Sequence, residues 1–443
     1  MDVANNSTAP APRRTGLWLA ALLAALVLGA VLRLVWVKDI EFKSDEAWTF
    51  RQVQQAAQGG PWPQFGMPSS AGPVNPGLSV WVFVLLGKLT GCPDPTVLAR
   101  GVQVLSIAAI LCLIVFAFVF VPPKEREPWL WAAALVSVNP TAVLLHRKIW
   151  PPSLLPLFTL VMLAGWFRRE RRWGAFLWGL VGACLGQIHM AGFFFAAGFA
   201  LWALLFDRKR VAWSGWLLGS CLGALPMLPW LYYLLSDLHR GGPSSVYWVH
   251  LFEFKFWVRW VMQSLGFGLE YSLFDDHADF LSYPLLHGQP TYLVWVAEQT
   301  ALLLGALLLA RAAYRAWRGR DRLAALVSGK GSPTGFTLGA AFWGFGLLLT
   351  ATSLYMQRHY LAVAFPLGFV WLARLALPAT DPRPAGVKVG RGILLTLCLC
   401  QALLTASFLD YIHAHHGSVR GDYKATFGAA GHAALQSGPV PRQ

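Results

Sequence analysis

The chain has 443 residues, 56% of them hydrophobic and only 13% charged, with 22 Trp and 28 Phe. An ordinary soluble domain carries about 25% charged residues, so the composition excludes a water-soluble globule of this length. The 36 Lys and Arg against 21 Asp and Glu leave a formal charge of +15. On a soluble protein that excess would suggest nucleic acid, but on a polytopic membrane protein it reports which loops face the cytoplasm.

Crossing the hydrocarbon core as a helix takes about 20 apolar residues. In chain order, residues 1–15 form a short tail carrying Arg13 and Arg14. Gly16–Val37 exceeds a signal-peptide core and has no small-residue cleavage site after it, so it reads as a retained anchor. A long loop, 38–100, follows. Within it Gly77–Leu86 offers about ten mostly apolar residues, too few to span, and is expected to be re-entrant or interfacial. Further spans are expected at Gly101–Val121, Trp129–Leu145, Leu154–Phe167, Trp173–His189, Ala191–Phe206 and Val211–Leu235. After a second long loop, 236–290, come Thr291–Ala310, Phe336–Tyr355, Tyr360–Leu377 and Gly392–Leu409, then a tail, 410–443. The expectation is an all-α polytopic membrane protein of about eleven transmembrane helices. Its sections are the tail 1–15, a module 16–235 with its loop 38–100, the loop 236–290, the helices 291–409 and the tail 410–443.

Charge sets the orientation. With the N-terminus inside, the short connections around Arg126, Arg168–Arg172, Arg208–Arg210, Arg311–Arg322 and Arg383–Arg391 all fall inside, which is the positive-inside pattern. The long loops and the C-terminus then lie outside, where ATP and nucleotide sugars are absent. No Walker A or dinucleotide fingerprint argues otherwise. Cys112, Cys184, Cys221, Cys398 and Cys400 sit in apolar runs and Cys92 stands alone, so no disulfide framework or zinc spacing is present.

Chemistry is expected first at Ser44-Asp45-Glu46-Ala47-Trp48-Thr49-Phe50, just beyond the first span. Ser44 is placed to cap a surface helix whose first turn carries the two acids, with Trp48 at the lipid boundary. Acids there also favour the helix dipole, which is a purely structural use. Two basic turns fall on the outer, otherwise not base-rich side: His146-Arg147-Lys148 and Gln357-Arg358-His359-Tyr360. Such bases either snorkel to lipid phosphates or form a cradle for a phosphate ligand.

These motifs together resemble the GT-C superfamily of lipid-phosphate-sugar-dependent glycosyltransferases. The nearest branch is that of the bacterial relatives of protein O-mannosyltransferases and of aminoarabinose and galacturonic acid transferases. The resemblance rests on the Asp45-Glu46 pair after the first span, Pro73 and Asn75-Pro76 before a hydrophobic segment, Leu98-Ala99-Arg100 opening the next helix, and Arg147 about a hundred residues after the acids. It covers Leu17–Leu205 with motifs and the rest by hydropathy. Asn75 replaces the usual His, and Pro151-Pro152-Ser153 stands where many relatives have an acid, so neither a metal site nor the acceptor is specified.

The resemblance implies a GT-C fold with a large first outer loop, and transfer of a sugar from a polyprenyl-phosphate donor to a lipid, glycan or protein acceptor at the extracytoplasmic face of a bacterial inner or plasma membrane. Asp45 is the expected base, and Glu46 orients the acceptor or tunes Asp45. Arg147, Lys148, Arg358, His359 and Arg100 are expected to bind the donor phosphate. Trp48, Trp257 and Tyr360 are expected to contact acceptor or lipid, Trp257 from an interfacial aromatic stretch spanning Val246–Leu269. Asp275-Asp276-His277-Ala278-Asp279 is a candidate for a divalent cation, the one cofactor entertained. Glu298 lies in a span and is a functional candidate by position. A transporter or flippase of lipid-linked sugars is the alternative; it calls for polar or broken helices at the bilayer midplane, whereas the polar groups gather at one face.

Overall fold

The computed structural model describes residues 16–68, 74–238, 254–319, 329, 331–352, 356–377 and 384–429. Arg13, Arg14, Pro73, the stretch 246–253, Arg320, Arg322, Lys330, Arg383 and the tail beyond 429 lie outside the described residues. Among the described residues, six helices are long and apolar enough to cross a membrane: Pro95–Val119, Trp213–Ser236, Leu293–Arg318, Pro333–Ala351, Arg358–Ala376 and Ala385–His415. Shorter apolar helices are Trp18–Leu34, Leu78–Thr90, Leu155–Phe167 and Ala191–Phe206. Val27, Leu89, Leu205, Leu303 and Leu399 stand exposed on their outward faces, an apolar surface suited to hydrocarbon. The chain is an integral membrane protein.

Several expected spans are broken, each for a local reason. Trp129–Leu145 is two helices, Arg126–Val138 and Pro140–Leu145, because Asn139 must be extended ahead of a proline. Asn139 turns the break into a joint. Its Oδ1 accepts from the Ala142 N–H (2.9 Å), and its Nδ2 donates to the Gln263 carbonyl (3.0 Å) and Gln401 Oε1 (3.2 Å). Every residue from Trp129 to Ile149 is buried, so the basic turn at 146–148 enters the interior rather than the headgroup layer. Val211–Leu235 likewise bends at Leu225–Met227, around Pro226. Gly77–Leu86 becomes the helix Leu78–Thr90, packed on Ser44–Ala57 and Pro95–Val119. At 1.5 Å per residue its 13 residues reach about 20 Å, too short to span upright.

Ends of the bundle are sorted by charge. At one end Arg169 pairs with Asp207, Arg391 with Glu127, and the Thr334 N–H donates to Glu125 (3.0 Å), bringing together the base-rich connections. At the other end the segment after the first helix, the turn 146–153, the turn at Arg358, the residues 266–279 and the tail 416–429 converge.

A glycine stripe packs two of the helices. Gly215, Gly219 and Gly223 of Trp213–Ala224 face the carbonyl oxygens of Arg172, Phe176 and Leu180 on the helix Arg172–Ile188. A Cβ at Gly219 would stand 2.0 Å from the Phe176 carbonyl oxygen. Small residues at this spacing let helix backbones touch where no hydrophobic drive joins them. Gly219→Leu is expected to destabilise the protein by about 1–3 kcal/mol through overpacking. The check is a lowered melting temperature in detergent by tryptophan fluorescence; an unshifted transition would refute the close packing.

Candidate functional site

The site begins where the first helix, Gly16–Leu34, ends and the chain turns along the bundle. The cap of the helix Ser44–Ala57 lies one residue earlier than expected: Lys43, not Ser44, holds the cap position, and its N–H donates to Glu46 Oε2 (3.0 Å). That reach-back swings Glu46 inward, where it is 1% exposed. Asp45, one residue before it, stays half-buried, with the Ser44 hydroxyl against it (3.4 Å).

Around Glu46 is a buried charge cluster. Lys148 Nζ lies 2.8 Å from Glu41 Oε1 and 3.2 Å from Glu46 Oε1. Lys43 Nζ lies 2.7 Å from the same Glu41 oxygen and 2.9 Å from Asp422 Oδ2, and also donates to the Asp422 carbonyl (2.8 Å). Arg358 lies within electrostatic reach of Lys148 and Asp422. Burial pushes the Glu41 carboxyl upward, but Lys148 and Lys43 outweigh it and hold the group below the usual range. Glu46 goes the other way: burial raises it, Lys148 only partly compensates, and the neighbouring Glu41 and Asp45 charges raise it further. Burial disfavours the Lys148 ammonium, yet the two glutamates more than restore it, so Lys148 stays charged.

The expected cradle is only partly assembled. Lys148 is in the cluster, engaged by acids. Arg358 donates from Nη1 to the Gly268 carbonyl (3.0 Å) and Ser272 Oγ (2.8 Å), and its own carbonyl accepts from Gln263 Nε2. His359 stacks edge-on against Trp150 (4.5 Å) and His189 (5.1 Å), with Tyr360 beside both histidines and Lys148 over the Trp150 ring (4.6 Å). Those aromatics form a wall next to the cluster.

Arg147 turns to the first helix. Its guanidinium, 3% exposed, donates to the carbonyls of Leu32, Arg33, Val35 and Trp36. Those are the groups a helix leaves unpaired at its C-terminus, so Arg147 caps the first helix. Arg33 does the converse, donating to the Gly29, Val136 and Ser137 carbonyls and to His146 Nδ1, and so locks the first helix to the break at Asn139. Arg100 is also set apart. It donates to the Leu34 carbonyl and Gln103 Oε1 and lines an apolar groove of about 560 Å³ with Leu86, Leu89, Val97 and Val104.

The acidic stretch 275–279 meets the tail. Asp276 accepts from Ser418 Oγ (2.5 Å) and Arg420 Nε (2.6 Å), and Asp279 pairs with Arg420 Nη2 (2.5 Å). An arginine from the tail pairs with both acids, and among the described residues no group of three or more His, Cys, Asp or Glu is arranged to hold an ion. Glu298 meets His277 Nε2 at 3.4 Å. Trp257 donates from Nε1 to the Phe342 carbonyl (3.2 Å), inside the aromatic packing around Phe256 and Trp343. Trp48 is half-buried against the core.

Glu41, Lys43 and Asp422 are the members missed in the sequence. The signal was present as Glu41-Phe42-Lys43 directly ahead of the acidic pair, but charges just outside a span are usually solvated. Only the fold brings Lys148 and the tail onto them.

No protein-family model matches the chain, and no curated protein matches it. Solved structures resemble its fold at low identity. The apo oligosaccharyltransferase of Archaeoglobus fulgidus is 16% identical over 97% of this chain and 61% of its own, with a TM-score of 0.45. ArnT of Cupriavidus metallidurans, bound to undecaprenyl phosphate, is 14% identical over 91% and 80%, with a TM-score of 0.45. AglB of A. fulgidus, with an inhibitory peptide and a dolichol-phosphate, is 15% identical over 96% and 60%, with a TM-score of 0.46. The chain spans about three-fifths of the length of the archaeal proteins.

Removing one member of a buried charge set leaves the others unpaired, at about 3–5 kcal/mol. Glu41→Gln and Lys148→Met are both expected to lower the melting temperature at neutral pH. Because the folded Glu41 carboxyl is held below its unfolded value, its stabilisation is present above the ordinary carboxylate range and lost as pH falls through the depressed one. The gap between wild type and Glu41→Gln should therefore narrow below roughly pH 4. A gap constant from neutral to acid pH would refute the ionised state of Glu41.

Proposed function

We propose that the protein is an integral membrane glycosyltransferase of GT-C type, a hexosyl- or pentosyltransferase that uses a polyprenyl-phosphate-linked sugar. The acceptor is a lipid, glycan or protein, and the site faces the periplasmic or extracellular side, with the N-terminus inside and about eleven crossings. One observation carries the reading: a half-exposed carboxylate, Asp45, stands on the same helical turn as a buried carboxylate cluster that includes Lys148 and is flanked by Arg358, at the end of the bundle away from the base-rich connections.

A phosphate already is a good leaving group, so such a reaction needs no strong acid. It needs a base for the incoming hydroxyl and positive charge where the phosphate departs. Asp45 takes the base role, since Glu46 is held by Lys148 and by the Lys43 N–H and serves to fix the turn. The acceptor hydroxyl attacks the anomeric carbon and its proton passes to Asp45. The bond from that carbon to the phosphate oxygen breaks, its electron pair goes to the phosphate, and the configuration inverts. Arg358 is the best-placed cation for the developing charge, with Lys43 and Lys148 behind it, while His359, Tyr360 and Trp150 wall the sugar space.

The test supplies purified protein with a mixture of polyprenyl-phosphate sugars and follows released polyprenyl phosphate by mass spectrometry. Asp45→Asn is expected to abolish release while the melting temperature holds. Arg358→Ala is expected to reduce donor use by about 10- to 100-fold, the equivalent of one charge-assisted contact of about 1.5–3 kcal/mol. Turnover retained in Asp45→Asn would overturn the assignment of the base, and bound donor moved across vesicles without cleavage would favour the flippase.

A further inference from the structure

The tail after the last helix is folded over the cluster. Gly417–Ser418 pairs with Lys424–Ala425 as a small antiparallel hairpin, and Glu41 bridges to Thr426. The Phe427 N–H donates to the Ile40 carbonyl (3.1 Å), the Tyr423 N–H donates to the Ser272 carbonyl (2.9 Å), and the buried Tyr423 hydroxyl donates to the Asp39 carbonyl. Gly421 fits against Ser418 Oγ and the carbonyls of Ser272 and Leu273, where a Cβ would collide. This strap carries Asp422 to Lys43 and into the field of Lys148 and Arg358.

Three carboxylates thus face these cations, and they differ in access. Glu41 and Glu46 are each 1% exposed by side chain, while Asp422 is 49% exposed. The first two are built into the bundle; Asp422 sits on the turn of the hairpin, the most exposed of the three, against a Lys43 side chain that is itself 25% exposed. We propose that Asp422 is an internal placeholder for the phosphate of the donor: in the resting protein its carboxylate occupies the Lys43 side of the cationic set, and an incoming lipid phosphate displaces it and lifts the strap. This rests on the glycosyltransferase reading and adds its regulation. The strap then couples occupancy to access, because the segment that neutralises the empty site also covers it.

The ligand chemistry is a phosphate anion, a diester in the donor and a monoester in the released lipid phosphate, and two probes separate its sources: farnesyl phosphate carries a lipid chain and inorganic phosphate does not. Binding of each to the full chain in detergent is measured by tryptophan quenching for wild type and Asp422→Asn. A strap closed between about two-thirds and nine-tenths of the time lowers apparent affinity by about three- to tenfold, so Asp422→Asn is expected to bind farnesyl phosphate tighter by that factor. Tighter binding of both probes in the variant supports the placeholder as a reader of the anion, and tighter binding of farnesyl phosphate alone supports it as a reader of the lipid headgroup.

Tryptic cleavage after Lys424 is followed in parallel, since it needs no variant. Saturating farnesyl phosphate is expected to speed the cut in wild type, because the strap must open. Equal or weaker binding by Asp422→Asn, or a cut whose rate saturating ligand leaves unchanged, overturns the placeholder and leaves the transferase reading standing. No binding by either protein overturns both, and the two failures are thereby told apart.

Discussion

The structure turns on the ion set of Lys148 with Glu41 and Glu46. Two carboxylates that are 1% exposed in an apolar bundle are tolerable only with a cation between them. Lys148 reaches them because the helix ahead of it breaks at Asn139–Pro140 and turns inward, and that break is fixed by Gln263 and Gln401. The charge set therefore ties together the segment after the first helix, the broken central helix and, through Lys43, the tail. Its asymmetry has chemical content. Glu41 is held ionised, Glu46 is pushed toward its neutral form, and Asp45 on the same turn remains open.

Arg33 and Arg147 complete this frame from below. Both are buried and donate to main-chain carbonyls: Arg33 to those of Gly29, Val136 and Ser137 as well as to His146 Nδ1, Arg147 to those at the end of the first helix. A guanidinium so placed satisfies carbonyls that have no water to turn to. This is a reason for an arginine to sit at a membrane boundary that has nothing to do with binding a ligand. It also explains why a basic turn, His146-Arg147-Lys148, divides its labour. His146 accepts from Arg33, Arg147 caps, and Lys148 pairs with acids.

A different economy governs the other acids. Asp276 and Asp279 form a cluster that in sequence suits a divalent cation, yet Arg420 takes both. The result is a strap tied down at its start by Arg420 and at its tip by Asp422, two charged residues two positions apart reaching opposite partners. The half-exposed pairs at its surface are weaker holds than the buried set beneath them, so Asp422 is the carboxylate of this set most readily exchanged for another anion.

Composition and hydropathy alone determined that the chain is helical, membrane-embedded and charge-sorted between its ends, because about 20 apolar residues and a bias of Lys and Arg are local properties of the string. The acidic turn after the first span was legible for the same reason, as was the short reach of residues 77–86. What the string could not show was which donors and acceptors meet. Arg147 and Arg358 look alike as outer bases, and only the packing of the first helix against the break at Asn139 makes one a helix cap. Glu41 and Lys43 look like ordinary flanking charges until Lys148 arrives from a hundred residues away and Asp422 from nearly four hundred. Burial and pairing are relations between distant segments, so the tertiary structure alone decided which of these charges became a site.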